Sequence, residues 1–546
     1  MIAILLAGGL AGLWGSERVV GQVVRGEVTV ARGMAQVGVL RAPVHIASGE
    51  LRFELPGGRG QFRALAAGDG WRGHFLQPRA LVGGAPFATP VELRRIGPRK
   101  WRGQILPLES DFAIYFHIAQ QPDGSLRAVL RNPELNLGRG RPLAVQVQGN
   151  TVRFLDGAQE RAVARFDAVH DTLTLEGDLL DGGDASVALT RRGRDDAPGF
   201  WPRPRGAYVY RPPAPDTDGW STAVADLDPK LIATLVQQIL DTDPLVSPLP
   251  AVQGLLVARH GKLVLEEYFY GFSKDRLHDL RSAGKSFGST LAGTAIDHGA
   301  PMNLKSALFS FFPEAPQPAD KRAITVEHAL TMSTGLACDD ADDSSPGQED
   351  RMQAQERDWY RYTLDLPVAH PAGTYAAYCS GTINLVGGVV RAATRARLTD
   401  LFDAQLARPL GIARYAINLG PNSDMYFAGG LRLRPRDFLK LGQVFLSGGT
   451  WNGKRVVSEG WIKSATAPHA VLNNGNTDGY NWWLRQIGSV RTYSAGGNGG
   501  QFVVVAPELD LVVAVTGGMY GNFAFAQKTV DDLLTRYLFP AARAAP

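Results

Sequence analysis

Ser282-Ala283-Gly284-Lys285 places a hydroxyl and an amine three residues apart. On a helix those positions share a face, so the two side chains lie within reach of each other. Burial disfavours an ammonium, so its pKa falls and the neutral amine can take the hydroxyl proton. A helix opening at Ser282 also offers free backbone N–H groups and the positive end of its dipole to a developing oxyanion. The pair points to nucleophilic acyl transfer, although Ser and Lys at this spacing are a weak motif on their own.

Competing chemistries each lack a part. Gly284-Lys285-Ser286-Phe287-Gly288 has the Gly-x-Ser-x-Gly form of a nucleophile elbow. That elbow needs a buried strand before it, and residues 275–281 are mostly polar. A phosphate-binding loop ending at Gly284-Lys285-Ser286 would need Gly where Asp279 stands. The 10 His supply no paired-His helix of a zinc peptidase, and 2 Cys exclude a Cys-based zinc site. The run Asp339-Asp340-Ala341-Asp342-Asp343 lacks the central Gly and distal Glu of a calcium loop and reads as solvated. No metal and no organic cofactor is implied.

Two further segments follow in order. Tyr378-Cys379-Ser380 precedes an apolar helix, and Tyr493-Ser494-Ala495-Gly496-Gly497-Asn498-Gly499-Gly500-Gln501 opens a late hairpin. In this order and spacing the three segments resemble the serine β-lactamase-related family. That family includes class C β-lactamases, D-alanyl-D-alanine carboxypeptidases, family VIII esterases and aminohexanoate-oligomer hydrolases, and the esterase and aminohexanoate branch looks nearest. The resemblance runs from about residue 231 to the C-terminus, with support from residues 329–340, Ala428-Gly429-Gly430-Leu431 and Tyr480-Asn481-Trp482-Trp483.

The resemblance implies a nucleophile at Ser282, a proton partner at Lys285, and a proton-shuttling phenol at Tyr378, the first position of the family's Tyr-x-Asn motif. The family's Lys-Thr-Gly or His-x-Gly motif falls on Ala495-Gly496-Gly497. The backbone N–H groups of Ser282 and Asn498 would then form the oxyanion hole. Ser380 replaces the motif's Asn, so one substrate hydrogen bond is expected to differ. Ala495 replaces a cation that holds the substrate carboxylate in the β-lactam and peptidoglycan branches, which favours neutral esters or amides. Ala495, Gly496, Gly497 and Ser380 would edge the substrate, and Trp482 and Trp483 are candidates for an acyl pocket, with core packing as the alternative. A Cys338–Cys379 bridge would fasten the acidic loop beside the site and suit an oxidising compartment. Two buried thiols are the alternative.

Those residues must be positioned by larger elements. Residues 26–192 read as short strands, among them 51–55, 62–66, 112–118, 126–130, 143–147, 152–155 and 172–175, separated by turns such as Pro56-Gly57-Gly58 and Asp123-Gly124. Many short strands at this spacing predict an antiparallel all-β barrel or sandwich. Six prolines within 194–217 mark a stiff, extended connection. Beyond it, strands, a helical insertion, strands and a terminal helix predict a multidomain chain ending in an α+β domain of β-lactamase/transpeptidase type, its sheet assembled from both ends of the segment. The expected divisions are a candidate signal segment at 1–21, a β-rich domain at 22–193, a linker at 194–225 and the hydrolase domain at 226–546. The apolar run 2–14 lacks a preceding Lys or Arg, so a buried first strand competes with export to the periplasm or medium.

Composition is that of a globular chain: 546 residues, 45% hydrophobic and 20% charged. A net charge of +4 without a basic block argues against nucleic acid as a partner. No apolar run is long enough to span a bilayer. The expected activity is a serine hydrolase acting on small ester or amide substrates. A β-lactamase or D-Ala peptidase of the same fold is the first alternative, and a catalytically silent binding protein the second. The ligand of the β domain is not given by these residues.

Overall fold

The computed structural model describes residues 9–19, 24–78, 85–106, 111–136, 140–176, 186–203, 206–224 and 226–544. The first half is all β and forms two sheets. The strands from Gly26–Ala31 to Lys100–Ile105 make an open antiparallel sheet. Gly12–Val19, Asp111–Gln120, Leu126–Arg131, Pro142–Gln148, Thr151–Asp156, Gln159–Asp167, Thr172–Glu176 and Val187–Arg191 close into an antiparallel barrel.

The period-two pattern explains the barrel's two faces. Phe112, Ile114, Phe116 and Ile118 point into its core with Trp14, Phe154 and Phe166. The intervening Ala113 and Tyr115 face outward and pack with Ala197 and Phe200 of the proline-rich stretch. That stretch therefore lies against the barrel wall, and further on Trp220 Nε1 donates to the Arg436 carbonyl at 3.0 Å in the second half.

Of the segment read as a candidate leader, residues 1–8 and 20–21 lie outside the described residues. Gly12–Val19, which takes in only the end of the apolar run 2–14, is a barrel strand and pairs with Asp111–Gln120 over its full length.

The second half is built on an antiparallel sheet in the order Lys262–Tyr268, Val252–Arg259, Leu511–Gly517, Gln501–Ala506, Val490–Gly497, Trp483–Ile487, Thr477–Asp478, Ala470–Val471. Its central strands come from both ends of the segment, as the pattern predicts, and both faces are buried. Leu255, Val257, Val504, Val513 and Val515 face helices α1 (Pro229–Leu240) and α5 (Phe523–Leu533). Leu256, Ala258, Val503, Val505, Val512 and Ala514 face α2 (Gly284–Asp297) and α4 (Pro435–Leu446). Each of these Leu and Val side chains contributes roughly 1.5–3 kcal/mol on burial. Helix α3 (Ser380–Thr394) packs beside α2.

A strand path joins the halves next to the functional motif. Phe87 and Ala88 of the open sheet pair with Asn418 and Ile417. Tyr415–Asn418 pairs with Leu431–Leu433, which also pairs with His278–Asp279, just before Ser282. Arg72 adds a two-pronged ion pair to Asp403 at 2.8 and 2.9 Å, and His74 bridges Asp400 at 3.2 Å and the Tyr415 hydroxyl at 3.0 Å.

Trp14 is fully buried, and its Nε1 donates to the Leu10 carbonyl at 2.8 Å. Trp14→Ala should cost about 3–5 kcal/mol. Amide hydrogen exchange along Asp111–Gln120 is expected to accelerate by about two to three orders of magnitude, and unchanged protection would contradict this packing.

Candidate active site

Ser282 sits in a tight turn, Arg281–Ala283, that leads directly into α2. Arg281 has φ +50°, a left-handed conformation that costs a non-glycine residue about 1–2 kcal/mol. It is held there by its own N–H, which donates to Asp279 Oδ1 at 3.0 Å. Small residues let α2 sink into the core. A Cβ on Gly288 would meet Phe427 at 2.9 Å, and one on Gly293 would meet Trp461 at 2.4 Å. That depth buries Lys285 almost completely, at 2% exposure.

The Lys285 ammonium has three donors and uses each. Nζ donates to Ser282 Oγ at 3.1 Å, Ser380 Oγ at 2.9 Å and the Ala428 carbonyl at 2.7 Å. It also lies 4.9 Å from the Tyr378 ring centre. The Tyr378 hydroxyl faces the side chains of Ser282 and Lys285, both of which pull its pKa down against burial. Ser282, Lys285 and Tyr378 thus meet at one point.

The shift at Lys285 runs opposite to the expectation of a lowered amine pKa. Burial pulls the Lys285 ammonium down, but Tyr378, Glu349 and Asp340 outweigh it, and the group is held above its ordinary range. Burial raises Tyr378 as well, against the opposing pull of Lys285. Both groups are therefore held above their ordinary values. The local spacing could not reveal this, because the offsetting carboxylates come from elsewhere in the chain.

Ser380 is not at the substrate edge. It is fully buried behind Lys285, and its N–H, at the start of α3, donates to Asp340 Oδ2 at 2.7 Å. By sequence Asp340 belongs to a run that reads as solvated. It is packed beside the site, and burial together with Glu349 pushes its carboxyl up to about 6 against the pull of Lys285. Among the described residues, no group of three or more His, Cys, Asp or Glu could hold a metal ion. The Cys338–Cys379 disulfide, with Cα atoms 5.6 Å apart, fastens the loop that carries Asp340 to the residue after Tyr378. Cys379 also caps α3.

Ala495, Gly496 and Gly497 end the strand that passes the Ser282 turn. Ala495 is fully buried and lines no part of the cavity beside Ser282. A Cβ on Gly497 would stand 2.2 Å from the Leu280 carbonyl oxygen, so only glycine permits this approach. Asn498 follows, and it lines a cavity of about 340 Å³ with Ser282, Arg281, Gly429, Tyr426 and Tyr520. Trp482 and Trp483 do not line this cavity. Trp482 packs on Phe445 with ring centres 4.1 Å apart, and Trp483 packs edge-on against Phe523 at 5.1 Å, so core packing accounts for both. Ser286 is buried within α2, where its hydroxyl donates to the Asn481 carbonyl at 2.6 Å.

Raised values for Lys285 and Tyr378 mean that the proton-poor pair is scarce at pH 7 and grows as pH rises. Any turnover at Ser282 should therefore increase through the alkaline range. A second limb near pH 6 should follow Asp340 and flatten in Asp340→Asn. A pH–rate profile identical in the two proteins would remove Asp340 from the site. Replacing both cysteines by Ser removes a bridge over 41 residues, at a cost of about 2–4 kcal/mol. Thermal melting should register that loss, and kcat should fall about tenfold because Tyr378 and Asp340 lose their shared tether.

A family model described as "Beta-lactamase" matches residues 243–535. A 6-aminohexanoate-dimer hydrolase of Paenarthrobacter ureafaciens is 27% identical over 323 residues, covering 54% of this chain and 81% of that protein. Two solved structures are similar. One is a penicillin-binding protein homologue from Caulobacter crescentus, with TM-score 0.46, 16% identity and coverage of 57% of this chain and 98% of the other. The other is a family VIII carboxylesterase, with TM-score 0.45, 17% identity and coverage of 57% and 96%. The family match spans more than half of the 546 residues, and the chain belongs to the β-lactamase-related family, with a β-rich half before the matched region.

Proposed function

We propose that the protein is a serine hydrolase that cleaves ester or amide bonds of small substrates through an acyl-enzyme on Ser282. The observation that carries this reading is the ammonium of Lys285, 3.1 Å from a Ser282 Oγ that opens onto a cavity. Once the Lys285–Tyr378 pair has lost one proton, it accepts the Ser282 proton as Oγ attacks the carbonyl carbon. The same proton passes to the leaving alcohol or amine as the C–O or C–N bond breaks. Water then repeats the sequence on the acyl-enzyme and releases the acid. The N–H groups of Ser282 and Asn498 are assigned to the developing oxyanion, where such donors contribute about 10²–10³ in rate.

Neutral substrates fit best. In the branches that take β-lactams or D-Ala peptides, a cation occupies the position of Ala495, and here that side chain is a buried methyl group. Hydrolysis of p-nitrophenyl butyrate by wild type, Ser282→Ala and Ser286→Ala is the direct test. Ser282→Ala should lose about 10⁴-fold or more in kcat, and Ser286→Ala should remain within tenfold of wild type. Equal rates in the three proteins would dismiss the assignment.

A further inference from the structure

The cavity beside Ser282 is not built by the hydrolase domain alone. Ala85, just before the open-sheet strand that begins at Phe87, and Phe112, Glu134 and Leu135 of the barrel region also line it. The turn that carries Glu134 and Leu135 is a built structure. Asn132 Oδ1 accepts from Leu135 N–H at 2.8 Å, and Asn132 Nδ2 donates to the Ala113 carbonyl at 2.7 Å. The turn is also fastened to the hydrolase domain. Gln253 Nε2 donates to the Pro133 carbonyl at 2.5 Å, Asn136 Nδ2 to the Tyr520 carbonyl at 3.1 Å, and Arg276 pairs with Glu134 at 2.7 Å. Arg131, beside it, donates to the Pro244 carbonyl at 2.7 Å.

The charges in this part of the cavity engage one another. Glu134 is taken by Arg276, and Asp279 is shared by Arg281 and Arg432 at 3.3 and 3.1 Å. Leu135 is the half-buried apolar side chain that this wall presents to the cavity. A volume of about 340 Å³ lies within the range of small-molecule sites.

We propose that the N-terminal β half is the specificity wall of the active site, and that Leu135 receives an apolar, uncharged arm of the substrate attached to the carbonyl attacked by Ser282. This rests on the hydrolase reading above. It gives the β half a role in selecting substrate at the shared cavity rather than as a separate binding module.

The test uses the full chain and compares wild type, Leu135→Trp and Leu135→Ala. The readout is the ratio of kcat/KM for p-nitrophenyl octanoate to that for p-nitrophenyl acetate. Trp fills the wall, so the ratio should fall about tenfold, and Ala should lower it severalfold by removing contact area. In a Ser282→Ala background, calorimetry with octanamide should show an affinity about tenfold weaker when Leu135→Trp is added. A ratio and an octanamide affinity that ignore Leu135, or a parallel fall on both esters, would overturn the proposal. No turnover of either ester by wild type, with Leu135-dependent octanamide binding retained, would overturn the hydrolase reading and leave the wall assignment standing.

Discussion

A charged ammonium in the core is the constraint around which the rest of this site is arranged. Removing such a group from water without partners is costly enough that it would otherwise give up its proton. At Lys285 three acceptors hold Nζ, and the charges of Tyr378, Glu349 and Asp340 raise its pKa against burial. Each acceptor comes from a different segment: the turn at Ser282, the start of α3 at Ser380 and the loop at Ala428. Satisfying one cation therefore registers three segments against each other, and Ser282 Oγ is positioned as part of that network. The Cys338–Cys379 bridge adds a covalent tie where Asp340 and Tyr378 approach.

The second constraint is close backbone approach. Gly288 and Gly293 let α2 sink, Gly429 lies against the Arg281 carbonyl, and Gly497 lets the strand end reach the nucleophile turn. At Gly497 a side chain would collide with backbone, which cannot swing aside as a flexible side chain can. Meanwhile the ladder from Phe87-Ala88 through Ile417-Asn418 and Leu431–Leu433 to His278–Asp279 connects the open sheet to the turn before Ser282. The β half is thus mechanically continuous with the site.

Much of this could be read from residue order. The period-two strands of the first half, the split sheet of the second and the three motifs all express local rules, such as alternation, helical spacing and glycine beside an edge. The expectations that needed revision were non-local. Ser380 reads as a substrate contact by its place in a motif, yet it serves Lys285. Asp340 reads as solvated because four of the five residues in its run are acidic, but the bridge carries it inward. Trp482 and Trp483 have the chemistry of a pocket and the position of a core.

Local spacing alone brings Ser282 and Lys285 onto one turn of helix, because three residues along a helix always share a face. Whether that lysine is charged, and what shares its cavity, depend on fields and surfaces from segments distant in the chain. Tyr378, Glu349 and Asp340 raise the Lys285 pKa from segments far along the chain, and Leu135 lines the cavity because the barrel docks there. Electrostatic energy and excluded volume depend on separation in space, and only the folded chain sets that separation.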